Sequence, residues 1–521
     1  MRRLRVVRGQ QTEVNEEGME MSPIDRVFPR TRPFGFGSAA RGQNPLGSRG
    51  LIHVLPVVAA LAGGCGTEPS VPAAITVSPD SPTLLWVDEI VQLTATVRDV
   101  NGQDILGAAV TWRSEDESVV TVDANGRVRA VGKGVASVRA AAGAVEGIST
   151  VRVYPDRRAL LGIFAALDGS SWRNRDNWWT GAPLHEWYGV TTDSKGNVVA
   201  LELPANGLAG ALPAAVGALG ALDRLLLSAN GLTGPIPSEL GNLGKLRSLR
   251  LVDNDLTGPI PPEFGNLTAL RFLNLAGNQL TGEIPREFGN LTNLVSLDIG
   301  DNGLTGEIPH ELGNLRELGS LVLTHNDLTG PIPPEFADLH NLRGLRLEDN
   351  GLTGPIPPEL GILPELTVLH LQGNRLSGRI PPELGNLRTL RELGLHHNEL
   401  AGPIPSELGN LTNLALLHVS DNALTGSIPP ELGNLEFLAD LGLSGNDLTG
   451  PIPPEIISPK HLVRLVVHDT GLSGRLPREL IGVPLNEFRW HLTELCSPAD
   501  EEFQRWLESL RNHIGNRKCQ P

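Results

Sequence analysis

The most informative segment of this chain is Leu246-Arg-Ser-Leu-Arg-Leu-Val-Asp-Asn-Asp-Leu-Thr-Gly-Pro-Ile-Pro-Pro-Glu-Phe-Gly-Asn-Leu267. Leu249 and Leu251 alternate with their neighbours, so these leucines face a core and the residues between them face outward. Asn254 ends the strand, and its side-chain amide is placed to satisfy backbone groups at the turn. Gly258 permits a bend, and the proline pair that follows starts a short helical turn.

The same pattern recurs every 24 residues, twelve times in register and without insertion or deletion. A fixed period in the range of about 20–29 residues is the signature of a leucine-rich repeat solenoid. Because each unit contacts only its neighbours, stacking builds one long curved face, which favours recognition over chemistry. Thr470 fills the twelfth motif position, and asparagine fills the others: Asn206, Asn230, Asn254, Asn278, Asn302, Asn326, Asn350, Asn374, Asn398, Asn422 and Asn446.

The motif Leu-Thr-Gly-Xaa-Ile-Pro, followed by Leu-Gly-Asn-Leu, resembles the plant-type leucine-rich repeat of plant receptor ectodomains and polygalacturonase-inhibiting proteins. That resemblance implies a second short strand in each unit and a twisted stack. The predicted fold class is therefore a mainly β, α-poor solenoid. It is a leucine-rich-repeat superhelix of about 12 repeats over residues 196–481, with a cap at each end and a small β-sandwich before it.

The composition narrows the classes of partner. The chain has 521 residues, a net charge of −16 and three cysteines, and the repeats contain no basic patch. Nucleic acid is therefore not an expected partner. Three cysteines are also too few for a fold held together by disulfides.

The amino-terminal region is predicted to direct export. Residues 1–50 are predicted to be a disordered leader or an over-extended start of the gene, and residues 51–65 an apolar run too short to span a membrane. The run ends at Cys65 and resembles a bacterial lipoprotein signal, which implies lipid attachment to that cysteine. The alternative is an apolar leader with an incidental cysteine.

Residues 74–153 show short β-rich runs. Ile75-Thr-Val-Ser alternates apolar with polar residues, and Asn101-Gly and Asn125-Gly supply tight turns. The segment from Val110 to Ala136 resembles the group 2 bacterial immunoglobulin-like domains, which implies a β-sandwich. A spacer that lifts the solenoid from the membrane is the favoured role, with direct ligand binding as the alternative.

Residues 154–195 are predicted to cap the start of the solenoid. An amphipathic helix begins near Asp156, and Trp172, Trp178, Trp179 and Trp187 follow it. The pattern Asn-Trp, then Trp-Xaa-Gly-Val, resembles the plant cap without its cysteines, so we expect tryptophan burial to replace the missing disulfide. Carbohydrate binding by the tryptophans is the less favoured interpretation.

Residues 482–521 are predicted to cap the other end. Ser497-Pro-Ala-Asp500 resembles a capping box with proline in the first helical position, and apolar residues as far as Ile514 are predicted to line one helix face. Cys496 and Cys519 flank that helix, and we predict a disulfide between them, which requires an exported protein.

The candidate ligand-binding residues lie on the predicted concave face, four, two or one positions before the motif asparagine. Histidines are frequent there, and His396 is predicted to lie diagonally between the equivalent His370 and His418. Such histidines could bind a divalent metal, sense pH during protein or glycan binding, or form a solvated face without a ligand; the last is favoured. The candidate residues are Arg250, Asp298, His325, Arg346, His370, His396, His418, Asp421 and His468.

No catalytic motif is present in the sequence, and neither a cofactor nor a metal is expected. The favoured hypothesis is a non-catalytic surface protein, exported to a bacterial envelope and lipid-anchored at the outer membrane or cell surface. It would bind an extracellular protein, peptide or glycan through the concave face, with no transmembrane helix. The alternatives are a structural or adhesive envelope protein and an inhibitor of an extracellular enzyme.

Overall fold

A computed structural model describes residues 71–84, 87–457, 461–515 and 517–520. The predicted leader, the signal-like run and Cys65 lie outside these residues. In the described part of the chain, no helix is both long and apolar enough to cross a membrane.

The first part of the described chain is a small β domain. Its strands form a four-stranded, a three-stranded and a two-stranded sheet around one core that includes Val120, Val128 and Val138. This confirms the predicted β domain, whose Asn-Gly turns place Gly102 and Gly126 at positive φ. The strands are Ala74–Ser78, Thr83–Leu84, Ile90–Gln92, Thr94–Arg98, Thr111–Ser114, Val120–Val122, Arg127–Ala130, Gly134–Ala142 and Val145–Val153.

The solenoid is built on one 15-stranded sheet whose strands follow in chain order. All neighbours are parallel except the first pair, and each repeat continues the register of the last, as Leu249 pairs with Leu273. The strands are Val190–Thr192, Val198–Glu202, Arg224–Leu226, Ser248–Arg250, Phe272–Asn274, Ser296–Asp298, Ser320–Val322, Gly344–Arg346, Val368–His370, Glu392–Gly394, Leu416–His418, Asp440–Gly442, Arg464–Val466, Glu487–Arg489 and Asn512–Ile514.

The Leu-Thr-Gly part of each repeat forms a second short strand, as the plant-type resemblance implies. These strands make a six-stranded and a seven-stranded sheet. They are Ala209–Ala211, Gly231–Pro235, Asp255–Gly258, Gln279–Glu283, Gly303–Glu307, Asp327–Thr329, Thr353–Gly354, Arg375–Gly378, Glu399–Pro403, Ala423–Gly426, Asn446–Gly450, Thr470–Arg475 and Glu494–Cys496.

A 3-10 helix completes each repeat after its proline. Packing between these helices explains the glycine of Leu-Gly-Asn-Leu, because a Cβ on Gly265 would lie 2.6 Å from the Cβ of Glu287 in the next repeat. The 3-10 helices, including two in the cap, are Gly169–Ser171, Leu184–Glu186, Ala214–Ala218, Ser238–Asn242, Pro262–Asn266, Arg286–Asn290, His310–Asn314, Pro334–Asp338, Pro358–Ile362, Pro382–Asn386, Ser406–Asn410, Pro430–Asn434, Pro454–Ile457 and Arg478–Gly482.

The motif asparagines form the predicted ladder. The side-chain amide of Asn374 donates to the carbonyl oxygens of Leu347 and Leu371, at 3.0 Å each, and its Oδ1 accepts from the backbone N–H of Leu352 at 3.0 Å. Asn398 donates in turn to the same Leu371 carbonyl at 3.0 Å. Each of these leucine carbonyls is therefore shared by the asparagines of two successive repeats.

The amino-terminal cap contains the helix Pro155–Ala166. Trp172, Trp178 and Trp187 are buried in the solenoid core, as predicted. The expectation is wrong for Trp179, which is 64% exposed, because its backbone turns the side chain away from the core.

A buried carboxylate joins the small β domain to this cap. Asp156, in the first turn of the helix, is only 4% exposed. Its Oδ2 accepts from Lys133 Nζ at 2.7 Å and from the backbone N–H of Val198 at 2.8 Å. One side chain therefore connects the β domain, the cap helix and an early strand of the solenoid sheet.

The carboxy-terminal cap holds the predicted disulfide between Cys496 and Cys519. Its helix, Glu501–Ser509, is shorter than expected and is capped by Asp500, whose carboxylate accepts from the backbone N–H of Phe503. The predicted start at Ser497 is wrong. The end of the predicted helix is also wrong, because Ile514 belongs to the last strand of the solenoid sheet.

Candidate functional site

We use the name strand face for the outward side chains that lie six, four or two positions before each motif asparagine. The alternation of the solenoid strands turns these positions away from the leucine core. Arg250, Asp298, Arg346, His370 and His418 lie four positions before the asparagine, and His396 and His468 lie two before it.

His325 and Asp421 directly precede the motif asparagine, where the backbone is left-handed, with φ of 51° and 53°. Their side chains border the strand face instead of standing on a strand. The His325 ring lies between two carboxylates of this border, 3.6 Å from Asp301 and 3.1 Å from Asp349.

Two equivalent histidine–carboxylate pairs occupy the strand face. His370 Nε2 lies 3.0 Å from Glu392 Oε2, and His418 Nε2 lies 2.9 Å from Asp440 Oδ1. In both pairs the histidine reaches the acid of the next repeat.

Glycine lies beside each of the two histidine rings. A Cβ on Gly442 would lie 3.0 Å from the ring of His418, so a larger side chain there would force that ring to shift. A Cβ on Gly394 would lie 3.4 Å from the ring of His370, an ordinary contact, but only 2.5 Å from Gln372 Oε1.

Both carboxylates remain ionised. The hydrogen bond from His370 lowers the pKa of Glu392. Burial acts to raise the pKa of Asp440, but the hydrogen bond from His418 and the charge of Arg464 outweigh it and the pKa falls. Arg464 lies 3.2 Å from Asp440 and 3.3 Å from Glu487, so the second pair belongs to a longer charged network.

A hollow of about 320 Å³ opens beside the second pair. His396, His418, Arg464 and His468 line it together with Ser420 and other polar groups. The rings of His396 and His418 meet edge to face with centroids 5.6 Å apart, as expected from their diagonal placement. His468 stacks on His491 at 4.5 Å.

His396 is neutral at physiological pH. Burial, reinforced by the nearby His418 and His397, lowers its pKa to about 4. Burial also lowers the pKa of His468, and it raises the pKa of Glu348 and of Asp298. Burial therefore favours the neutral form of each of these four side chains.

The residues two positions before the motif asparagine form a row along the stack. In three successive repeats, the residue of this row has a buried polar atom without a hydrogen-bond partner among the described residues. They are Glu348 Oε2, Gln372 Oε1 and His396 Nδ1. Each such atom costs roughly 1–3 kcal/mol, and a native structure contains few of them. These three atoms are therefore able to bind water or a polar group of a ligand.

Arg250 and Asp298 do not join this cluster. Arg250 lies five repeats before His370, roughly 24 Å away at the usual strand spacing. Asp298 instead accepts from the side chain of Asn274 at 3.2 Å and from the backbone N–H of Gly300. Arg346 is exposed and lies one strand before His370.

Asp440, Arg464 and Glu487 were missed because the candidate positions were those four, two or one before the asparagine, and of the positions six before it only Glu392 was noted, as a neighbour of the histidines. The signal was available, because the same alternation also turns the position six before it outward. Among the described residues, no group of three or more His, Cys, Asp or Glu is placed to hold a metal ion.

Three family models match parts of the chain. The model described as bacterial Ig-like domain (group 2) matches residues 72–153. A leucine-rich repeat region model matches residues 260–372, and a leucine rich repeat model matches residues 221–243, 245–267, 365–387, 389–411 and 413–435. A search of curated protein sequences found no match.

Solved structures that include plant receptors are similar to the solenoid. PEPR1–AtPEP1 is 32% identical over 70% of this chain and 55% of that chain, with a TM-score of 0.60. The plant peptide hormone receptor RGFR1 in complex with RGF2 is 35% identical over 56% and 51%, with a TM-score of 0.52.

A third similar structure is the leucine-rich repeat ectodomain of GASSHO1/SCHENGEN3 from Arabidopsis thaliana in complex with CASPARIAN STRIP INTEGRITY FACTOR 2. It is 30% identical over 68% of this chain and 55% of that chain, with a TM-score of 0.51. The chain thus spans about half the length of the solved structures that it matches. RGFR1 and GASSHO1/SCHENGEN3 are plant receptors, each solved in complex with a second molecule.

Proposed function

We propose that this chain is a non-catalytic, exported binding protein that recognises a peptide or protein segment on the strand face between His370 and Arg489. The observation that carries the proposal is the hollow beside His418 and Arg464. Its walls are polar and part-buried, and its volume is in the range that holds one or two side chains of a ligand.

An extended segment is the ligand shape that this surface fits. The hollow and the two histidine–carboxylate pairs follow one another across consecutive strands, so a ligand lying across the strands would meet them in turn. Neutral histidines and hydroxyl groups provide directional hydrogen bonds, and Arg464 adds a charge-assisted donor. The receptor complexes named above support a peptide as the class of ligand.

The remaining parts of the chain suit an exported protein. The disulfide between Cys496 and Cys519 favours an oxidising compartment. Lipid attachment at Cys65 would anchor the chain to a bacterial envelope, and the Ig-like domain would then serve as a spacer. A Cys65→Ser variant that remains in the membrane fraction of its host would contradict the lipid anchor.

Peptide display against the immobilised full chain tests the proposed site. Peptides selected on the parent protein are measured against a His370→Ala/His396→Ala/His418→Ala variant. The control is a His185→Ala/His310→Ala/His340→Ala variant, which removes the same number of histidines at exposed positions off the strand face. We expect an affinity loss of about tenfold or more for the first variant only, since it removes several central contacts.

Two outcomes would contradict the proposal. Peptides held equally by both variants would place recognition outside the region between His370 and Arg489. Failure to select any peptide, together with light scattering that grows with protein concentration, would favour a structural or adhesive protein that associates with itself.

A further inference from the structure

The amino-terminal cap has one tryptophan more than its core requires. Trp172, Trp178 and Trp187 are buried, and their indole N–H groups donate to the carbonyl oxygens of Leu167, Tyr188 and Ala182 at 2.8–3.1 Å. Trp179 is 64% exposed and adds little to that core. Because the aromatic core is complete without it, the exposed tryptophan is a candidate for binding at the surface.

The segment 177–182, which carries Trp179, is fixed at both ends. Asn177 Nδ2 donates to the carbonyl oxygen of Glu186 at 2.7 Å. The carbonyl oxygen of Ala182 accepts from Arg157 Nη1 at 3.0 Å and from the indole of Trp187 at 3.1 Å. The exposed indole is therefore displayed by a constrained segment and is not on a free loop.

The backbone at Trp179 is in the left-handed region, with φ of 61°. Such a conformation is uncommon for a bulky side chain and costs of order 1–3 kcal/mol. The hydrogen bonds of the segment hold it in this conformation. The result is an indole ring that is turned outward and pre-positioned.

Trp179 borders a hollow of about 640 Å³. Its ring lies 5.8 Å from that of Phe164 at an angle of 31°, so the two rings form an aromatic corner. Asp168, Asp176 and Asn177 stand on the rim. An aromatic wall with a few polar groups around it is the usual composition of a small-ligand site, and the volume is within the usual range.

We propose that this hollow, which we call the cap hollow, binds a neutral oligosaccharide. A pyranose ring has one face of C–H groups and a rim of hydroxyl groups. The C–H face would pack on Trp179, and the hydroxyls would donate to the carboxylates of Asp168 and Asp176. Arg175 also lines the hollow, but the two carboxylates outnumber it, so the lining carries a net negative charge that disfavours anionic sugars.

A protein partner fits the cap hollow less well. A stable protein interface buries roughly 800 Å² on each partner, whereas this hollow is bordered by a single strongly exposed aromatic side chain and by charged groups. A sugar chain needs only one ring to be stacked and a few hydroxyls to be bound. The cap hollow is separate from the strand face, so the proposal does not depend on the peptide site.

The test uses the full chain and three neutral probes: cellohexaose, maltohexaose and N-acetylchitohexaose. Binding is measured by calorimetry and by tryptophan fluorescence. The variant is Trp179→Gly, because glycine adopts the left-handed backbone without strain and the fold is preserved. The control is Phe437→Ala, which removes a different exposed aromatic side chain, 53% exposed and far along the chain.

We expect saturable binding of at least one probe, weakened by about tenfold or more in Trp179→Gly and unchanged in Phe437→Ala. An Asp176→Asn variant should weaken the same probe by a smaller factor, because an amide is a poorer acceptor than a carboxylate. Absence of saturable binding for all three probes at millimolar concentration would overturn the proposal. Equal binding by the parent and Trp179→Gly would overturn it as well. The strand-face triple-histidine variant should bind the probe normally, which separates this outcome from that of the peptide site.

Discussion

The shared leucine carbonyls of the asparagine ladder predict that neighbouring rungs are energetically coupled. Asn374→Ala removes the acceptor for the Leu352 N–H, which is left without its partner in the core. The Leu371 carbonyl keeps its bond from Asn398, and the Leu347 carbonyl keeps its bond from Asn350 at 3.2 Å. The free energy of unfolding should therefore fall by the cost of one unsatisfied buried donor, about 1–3 kcal/mol.

Asn398→Ala has an equivalent effect, because its Oδ1 is the acceptor for the Leu376 N–H at 3.0 Å. The double variant should lose more stability than the two single variants added together, because the Leu371 carbonyl loses both of its asparagine donors. A second buried group is then unsatisfied, and we expect the double variant to lose about 1 kcal/mol beyond the sum of the single losses.

The assay is urea unfolding of the full chain followed by circular dichroism, with hydrogen exchange at the Leu352 amide as a local readout. The matched control is Asn374→Ala/Asn446→Ala. Asn446 donates to Val419, Leu443 and Ser444, and it shares no carbonyl with Asn374. In this control pair, the losses of unfolding free energy should add to within about 0.5 kcal/mol. An additive result for Asn374 and Asn398 would refute the idea of shared carbonyls.

Three further predictions concern other parts of the chain. The pKa of His396 is about 4 in the folded state and near 6.5 in the unfolded state. Between these values the unfolded state binds a proton that the folded state does not, so the stability present above pH 6.5 is lost as the pH falls towards 4. After allowance for partial exposure the loss is about 1–2 kcal/mol, and His396→Gln should lack it when unfolding is measured at both pH values. The Cys496→Ser/Cys519→Ser variant should lose about 3 kcal/mol in urea unfolding, because the bond closes a loop with a sequence separation of 23; an unchanged midpoint would contradict this. Gly265→Ala should lower the free energy of unfolding by about 1–3 kcal/mol through contact with Glu287, while Gly244→Ala, with nothing within 4 Å of the added Cβ, should leave it unchanged.

Much of the fold could be predicted because the repeat is regular. The spacing of leucine, asparagine and glycine defines the strand, the turn and the helix–helix contact of every unit, so one repeat predicts the others. The carboxy-terminal cap is not periodic, and there the disulfide was predicted correctly but the bounds of the helix were not. Ser497 has the residue type of a helix cap, but Asp500 takes that role and the chain after Ser509 returns to the sheet.

The candidate site was predicted only in outline. Counting from the motif asparagine placed His370, His396 and His418 on one surface, but counting does not give side-chain directions. The pairing of His418 with Asp440 depends on the free space above Gly442. The outward turn of Trp179 depends on a backbone angle that no residue pattern in the cap indicates.

The 15-stranded sheet continues in the same way from one repeat to the next, so the solenoid could be lengthened by adding repeats. Most junctions between neighbouring repeats use the same asparagine, leucine and glycine contacts, as between Asn374 and Asn398. A block of 48 residues, two repeats long, could be copied there without a new kind of junction. One such block carries a complete histidine–glycine–acid set, from His370 to Glu392 or from His418 to Asp440. Duplication would add a further set about 10 Å along the stack. Variants of different length could then be matched to ligands of different length.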